Sequence, residues 1–255
     1  MKMNRLVRVF FLVLLQSTCF YGQQKMINIE YEIFYNTELP NTQYANLYIN
    51  PVREESIFVK QNNNKEAKQV IQKDDNSIAV TYKSKRNASN YFNFKIDSLF
   101  TVESSFGEDY LVSEKIPKLQ WVLVDETRVK DAITLSKAIC EFRGRKFIAW
   151  YSMEYPLKYG PWKLHGLPGL IFEVYDETKR YNWFIKKITY EDSNSTVFTI
   201  NNNDCKKVTI EEFSKIKYDT KTVNESLYAK MPRGTSVVSS EMHRNGLEIK
   251  FEWEK

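Results

Sequence analysis

Leu170-Ile171-Phe172-Glu173-Val174-Tyr175-Asp176 and Tyr181-Asn182-Trp183-Phe184-Ile185-Lys186-Lys187-Ile188-Thr189-Tyr190, joined by Glu177-Thr178-Lys179-Arg180, form the stretch that decides the fold. Two runs rich in β-branched and aromatic residues around a short polar turn predict an antiparallel hairpin. Leu170, Ile171, Phe172, Val174, Trp183, Phe184 and Ile185 make the apolar content nearly continuous, so the hairpin is expected to be buried on both faces and central in its sheet.

Outward from this hairpin a period of two dominates, the mark of half-buried strands. Ile27, Ile29, Tyr31 and Ile33 share one face of a strand over Ile27 to Tyr35, with Glu30 and Glu32 on the other. Near the C-terminus Leu247, Ile249, Phe251 and Trp253 alternate with Glu248, Lys250, Glu252 and Glu254, which predicts a last strand lying beside the first. Shorter strands are expected at 57–60, 78–83, 91–96, 100–103, 110–113, 120–125, 137–142, 146–153 and 197–200. Thr209 followed by Glu212 is a capping-box signature for a helix over Thr209 to Met231, stopped by Pro232 and interrupted near Asp219, Thr220 and Thr222. A second helix is expected over Glu66 to Gln72, in or beside the polar stretch Gln61 to Asp75. The class is mainly β: a single curved antiparallel sheet, half-barrel or sandwich with one or two minor helices.

Lys2, Arg5 and Arg8 precede the apolar run Leu6 to Leu15, the layout of a secretory signal peptide. The run is about half of the ~20 residues a membrane-spanning helix needs, and no later segment approaches that length. Cleavage near Gly22 leaves residues 23–255 as one β-rich domain, periplasmic or secreted and without a transmembrane segment. Cys19 as a lipid-anchored residue is the alternative. Three of the 37 basic residues leave with residues 1–22, so 34 face 32 acidic ones and the mature charge is +2. That balance, with both signs interspersed, excludes the basic footprint of a nucleic-acid binder.

Three of the eight glycines and two of the seven prolines fall between Tyr159 and Ile171. Gly160, Pro161, Gly166, Pro168 and Gly169 therefore read as a rigid structural turn, with Pro168-Gly169 suited to a type II turn in which Gly169 takes positive φ. The aromatics Trp150, Tyr155, Tyr159 and Trp162 read as an exposed binding surface. Arg143-Gly144-Arg145 projects two guanidiniums from a tight hairpin turn; these suit an anion, or pair with Glu141 or Glu154. His165 beside Cys140 would supply a base and a nucleophile if the two met, although His165 reads more simply as a turn residue and Cys140 as a buried strand thiol. Cys140 and Cys205 are also the candidates for a disulfide worth ~2–4 kcal/mol. Two histidines without ligand spacing imply no metal, and no cofactor is implied.

Gly166-Leu167-Pro168-Gly169-Leu170-Ile171 reproduces the name motif of the GLPGLI family, exported proteins of the Gram-negative envelope without an assigned reaction. The resemblance extends through Lys137 to Arg145, Ala149-Trp150-Tyr151, Glu154-Tyr155-Pro156 and Gly160-Pro161-Trp162-Lys163, and in layout over roughly residues 25 to 255. Trp162 and His165 occupy positions to which no family role transfers. The resemblance implies export and a β-rich fold. Together with the aromatic content it leaves two function classes, a non-catalytic binding or carrier module for a hydrophobic ligand or peptide, and an envelope interaction module docking on an outer-membrane or secreted partner. A Cys140/His165 hydrolase comes third.

Overall fold

The computed structural model describes residues 25–61, 73–74, 77–78, 86–192, 198–200, 202–228 and 244–254. Residues 1–22, read as a signal peptide and including Cys19, the helix expected at Glu66 to Gln72 and most of the strand expected at 78–83 lie outside them.

In chain order the strands are β1 (Lys25–Tyr35), β2 (Asn41–Asn50), β3 (Glu55–Lys60), β4 (Lys73–Asp74), β5 (Ser77–Ile78), β6 (Ser89–Asn93) and β7 (Ser98–Ser105). There follow β8 (Glu108–Lys115), β9 (Val122–Lys130), β10 (Ile133–Phe142), β11 (Arg145–Ser152), β12 (Leu170–Asp176), β13 (Tyr181–Asp192) and β14 (Lys206–Thr209), then helices α1 (Ile210–Tyr218) and α2 (Thr220–Tyr228). Apart from the small β4–β5 pair, all belong to one open, curved sheet of 12 strands in the order β14-β8-β7-β6-β3-β2-β1-β13-β12-β11-β10-β9. The sheet is mixed, because β14 joins β8 in parallel while the other pairings are antiparallel. β1 is the seam between two meanders: it pairs with β2 on one side and, over its whole length, with β13 on the other.

Connectivity makes the sheet curl. β8 and β9 are ten strand positions apart, which in a flat sheet is ~48 Å at ~4.8 Å per strand. The link between Lys115 and Val122 reaches at most ~25 Å at ~3.6 Å per residue. The two ends must therefore bend toward each other, and the space inside the bend becomes the core.

The expected hairpin is β12–β13, although the two strands pair only from Glu173 to Tyr175; beyond that β13 zips onto β1. Leu170, Ile171, Val174 and Trp183 are fully buried, whereas Phe172, Phe184 and Ile185 are half-buried. Ile27, Ile29, Tyr31 and Ile33 line the core as the alternation predicts, and the Tyr31 hydroxyl donates to the Ile171 carbonyl at 2.6 Å. Residues 198–200 form no strand.

Over the described part, Thr209 to Tyr228, the helical prediction is met with its break, residues 229–232 lying outside the described residues: Thr209 and Glu212 form the reciprocal capping box, and the chain leaves α1 at Asp219 before α2 starts. Phe213 of α1 packs on Tyr110, fastening the helix to β8. Thr209→Ala removes the cap and should lower stability by about 1 kcal/mol in denaturant titration; no change would mean that packing alone fixes the start of α1.

Candidate functional site

Arg143 and Gly144 form the two-residue loop of the β10–β11 hairpin, both at positive φ (47° and 81°) as a type I′ turn requires. Gly144 is needed twice over, since a Cβ there would sit 2.6 Å from the Ile249 side chain. The turn is not a free anion site. The Arg143 guanidinium is buried and bonds Glu114 of β8 and Glu248, while its Nε donates to Glu252 at 3.1 Å. Lys163, equally buried, reaches Glu114 at 2.7 Å and Glu248 at 2.8 Å. Neither Glu141 nor Glu154 partners the arginines. Arg145 is held by Asp176 at 3.1 Å and by the carbonyls of Gly246 and Asn245. Burial alone would raise the Glu248 pKa, but the adjacent Lys163 and Arg143 outweigh it and hold the carboxyl down at about 2.

This cluster also corrects the expected last strand. Residues 244–254 form no strand and do not touch β1 as a ladder; they cross the β10–β11 turn, with the Ile249 and Lys250 amides donating to the Arg143 carbonyl. Glu248, predicted to face solvent, is buried, whereas Trp253 is exposed. Two buried cations demand buried carboxylates, and that demand overrides the apolar alternation.

The loop between β11 and β12 fills the inside of the bend. Tyr159, Trp162, Leu164 and Leu167 are buried in the main core, and Trp150 is buried on the other face under the Arg128 guanidinium, 4.0 Å from its ring. The exposed aromatic surface predicted from these residues is therefore absent; of the four, only Tyr155 is partly open. Trp162 stacks on Trp183 at 6.3 Å and meets Phe142 and Phe147, while Tyr159 meets Phe94, so one loop binds both meanders. His165 lies against Phe92 and Phe94, its Nε2–H donates to the Pro117 carbonyl, and its own carbonyl accepts from Trp121. These bonds tie the β8–β9 link to the loop. Gly166, not Gly169, has positive φ (90°). Gly169 is required by proximity instead: a Cβ would lie 2.1 Å from the Ser152 carbonyl oxygen.

Cys140 and Cys205 are both free thiols. Burial pushes the Cys140 thiol up to about 12, and no hydrogen bond joins it to His165 among the described residues. Among the same residues no cluster of His, Cys, Asp or Glu is arranged to hold a metal ion, and no helix is long and apolar enough to cross a membrane.

One open feature among the described residues is a cleft of about 300 Å³ between the β9–β10 turn and the strands β12 and β13, with half-buried apolar residues in its floor. Tyr155, Phe172, Ile185 and Ile188 form the floor and continue into the core; Lys130, Lys186 and Lys187 stand at the rim. Two bulges adjoin it. The β11–β12 register slips so that Phe172 has no partner, and the β1–β13 register slips so that Lys186 has none. Pairing with β12 stops at Phe184, so the open edge of β13 lets four consecutive residues, 185–188, line one cleft, and the second bulge sets Lys186 beside Lys187 on the face of Glu30 and Glu32. None of the binding candidates read from sequence except Tyr155 lies here. A second depression of about 400 Å³ beside β10 is lined by Lys118, Gln120, Glu141 and Lys146 together with Val122, Ile139 and Cys140.

The sequence profile of a family described as a protein of unknown function (Porph_ging) matches residues 25–173, more than half of the chain. The chain belongs to the Porph_ging family. Among curated proteins no significant match is found for this Porph_ging chain. Among solved structures it is similar to two crystal forms of PNGF-II, with TM-scores of 0.51 and 0.52 at 13% identity, covering 75% and 79% of this chain. It spans 33% of PNGF-II, so the likeness is one of fold over about a third of that protein. A LolA superfamily protein, NE2245 from Nitrosomonas europaea, overlaps more loosely, with a TM-score of 0.30 and 10% identity over 71% of this chain and 92% of that one.

Gly169→Ala should destabilise this Porph_ging protein by ~1–3 kcal/mol through overpacking against Ser152; if it melts like wild type, the close approach is not obligatory. Acid should act in two windows. Burial lowers His165 from 6.5 to about 4, the Pro117 hydrogen bond partly opposing it. The unfolded chain then binds more protons between these values, so this stability is complete above pH ~6.5 and is lost toward pH ~4, by up to about 3 kcal/mol. Glu248, lowered from 4.5 to about 2, contributes stability that is complete above pH ~4.5 and is lost as pH falls through ~2. Denaturant titrations against pH should show His165→Gln flattening the upper window only, and Glu248→Gln costing ~3–5 kcal/mol at pH 7. An unchanged slope in the upper window would remove His165 as its cause.

Proposed function

We propose that the protein is an exported, non-catalytic binding or carrier module for a hydrophobic ligand. The observation that carries this reading is the cleft on β12 and β13, whose floor of half-buried apolar side chains is continuous with the core and open to solvent. Half-buried apolar surface at a concave site is what a hydrophobic ligand can still desolvate. Export, to the periplasm or the medium, rests on the basic and apolar character of residues 1–22, and the GLPGLI-type assignment on Gly166 to Ile171 with its flanking motifs. The β-rich fold of residues 25–255 is what that assignment implies.

Two competing readings lose their supports. A hydrolase needs Cys140 as a thiolate near a base, but its thiol is buried and raised to about 12 while His165 is engaged elsewhere. The docking module was to use Trp150, Tyr155, Tyr159 and Trp162, and of these all but the half-buried Tyr155 are buried.

N-phenyl-1-naphthylamine, a neutral fluorescent probe, should brighten on binding the mature protein. Ile188→Asp should weaken that binding at least ~10-fold, the loss of a buried apolar contact plus the cost of a charge at the floor. A probe that stays dark with wild type, or that binds the variant equally, overturns the reading.

A further inference from the structure

We infer that the cleft is selective for an anionic single-chain amphiphile, a medium-chain carboxylate whose tail lies on Phe172, Ile185 and Ile188 and whose head meets the lysine rim. This deepens the proposed function and rests on it. The rim carries Lys130, Lys186 and Lys187 against one acidic residue, Asp131. Their environments differ. Lys130 is 3.5 Å from Glu173 and lies over the Phe184 ring, and Lys186 is 3.3 Å from Glu32. Lys187 stands opposite Glu30 in the ladder yet forms no ion pair among the described residues. Lys187 is thus the ammonium with unused donors, and Lys186 is tethered only by an exposed pair of the kind worth under ~1 kcal/mol, which a ligand carboxylate can replace.

The bulge at Lys186 is the second support. A strand of regular register would send Lys186 and Lys187 to opposite faces and leave the floor with a single lysine beside it. The slip between Glu30 and Tyr31 sets both on the face of Glu30 and Glu32, and along the open edge of β13 they line the same cleft as Ile185 and Ile188, whose ladder partners Tyr31 and Ile29 lie in the core. Bulges recur beside functional sites because they re-aim side chains in this way. The neighbouring bulge supplies Phe172 to the same floor. One irregularity thus pairs the two lysines at the rim, and the other adds Phe172 to the floor. The volume sets the size of the ligand: about 300 Å³ is at the lower end of the ~300–1,000 Å³ range of small-molecule sites, which suits one short chain and not a two-chain lipid.

Calorimetric titration of the mature protein with decanoate, decanol and decyltrimethylammonium at low and high salt tests the inference. Decanoate should bind at least ~10-fold more tightly than decanol, with the advantage shrinking in salt, and the cation should bind most weakly. The Lys186→Gln, Lys187→Gln double variant should lose the decanoate advantage over decanol, with a circular dichroism spectrum and melting temperature like wild type showing that it is folded. Equal affinity for decanoate and decanol, or a decanoate advantage that survives the double variant, overturns the anionic selectivity but leaves the hydrophobic carrier standing. If none of the three ligands binds and the neutral fluorescent probe fails as well, both readings fall.

Discussion

The ion cluster of Arg143 and Lys163 with Glu114 and Glu248 is the constraint on which the rest of the structure depends. Glu114 ends β8 near one margin of the sheet, Arg143 sits at the β10–β11 turn near the other, Lys163 comes from the loop inside the bend and Glu248 from the C-terminal segment. Four separate parts of the chain therefore share one set of charges. Charges this buried cost several kcal/mol each to desolvate, so the cluster exists only when all four parts are in place. It adds less to net stability than to uniqueness: a sheet curled differently would strand at least one unpaired charge in the core. The short β8–β9 link compels some curvature, and the cluster selects which curvature.

Much of the fold was legible where a residue's environment is set by its neighbours in sequence. Alternation over Ile27 to Tyr35 marks a strand with one buried face, and the Thr209/Glu212 pair marks a helix start, because both signals are local. β2 escaped because Tyr44, Asn46 and Tyr48 make its outer face nearly as strand-compatible as the inner, while the flanking asparagines imitate a loop. β14 escaped because four residues ending in the helix cap carry no period. The C-terminal segment misled because its alternation is real in sequence, yet Glu248 answers to charges 85 and 105 residues away, which no local pattern reports.

The candidate site was hardly legible at all, and the reason is the same. Sequence reasoning gathered the aromatics around Gly160 to Ile171 as a surface, since a loop of glycine and proline is usually exposed. Here the loop is the filling of the bend. Its polar backbone is satisfied by bonds such as Gly166 N–H to the Lys158 carbonyl and Leu170 N–H to the Tyr155 carbonyl, which permits burial. The cleft, by contrast, lies where β13 parts from β12 beyond Phe184, with register slips at Phe172 and Lys186, and neither a parting edge nor a bulge leaves a composition or spacing by which to find it. Tyr155 was found because it lies where the loop leaves β11 and reaches the cleft margin, its ring 5.3 Å from that of Phe172.

The filling of the bend decides what kind of binding module this fold can be. With Trp162, Leu164 and Leu167 occupying the concave face, no ligand can be enclosed there without expelling a loop whose aromatic contacts reach β6, β10, β11 and β13. Such expulsion would break the Lys163 ion pairs as well, so the interior is closed by more than packing. On the proposed reading, binding is thereby displaced to the margin, onto the half-buried floor of β12 and β13. A marginal, open site desolvates only one side of a ligand, and at ~0.8 kcal/mol per fully buried methylene it gains less than a closed pocket would. Modest affinity and fast release would follow for such a site, as the proposed carrier requires. Charge at the rim is then the economical way to add selectivity, because it discriminates between head groups without requiring a deeper cavity than the loop allows.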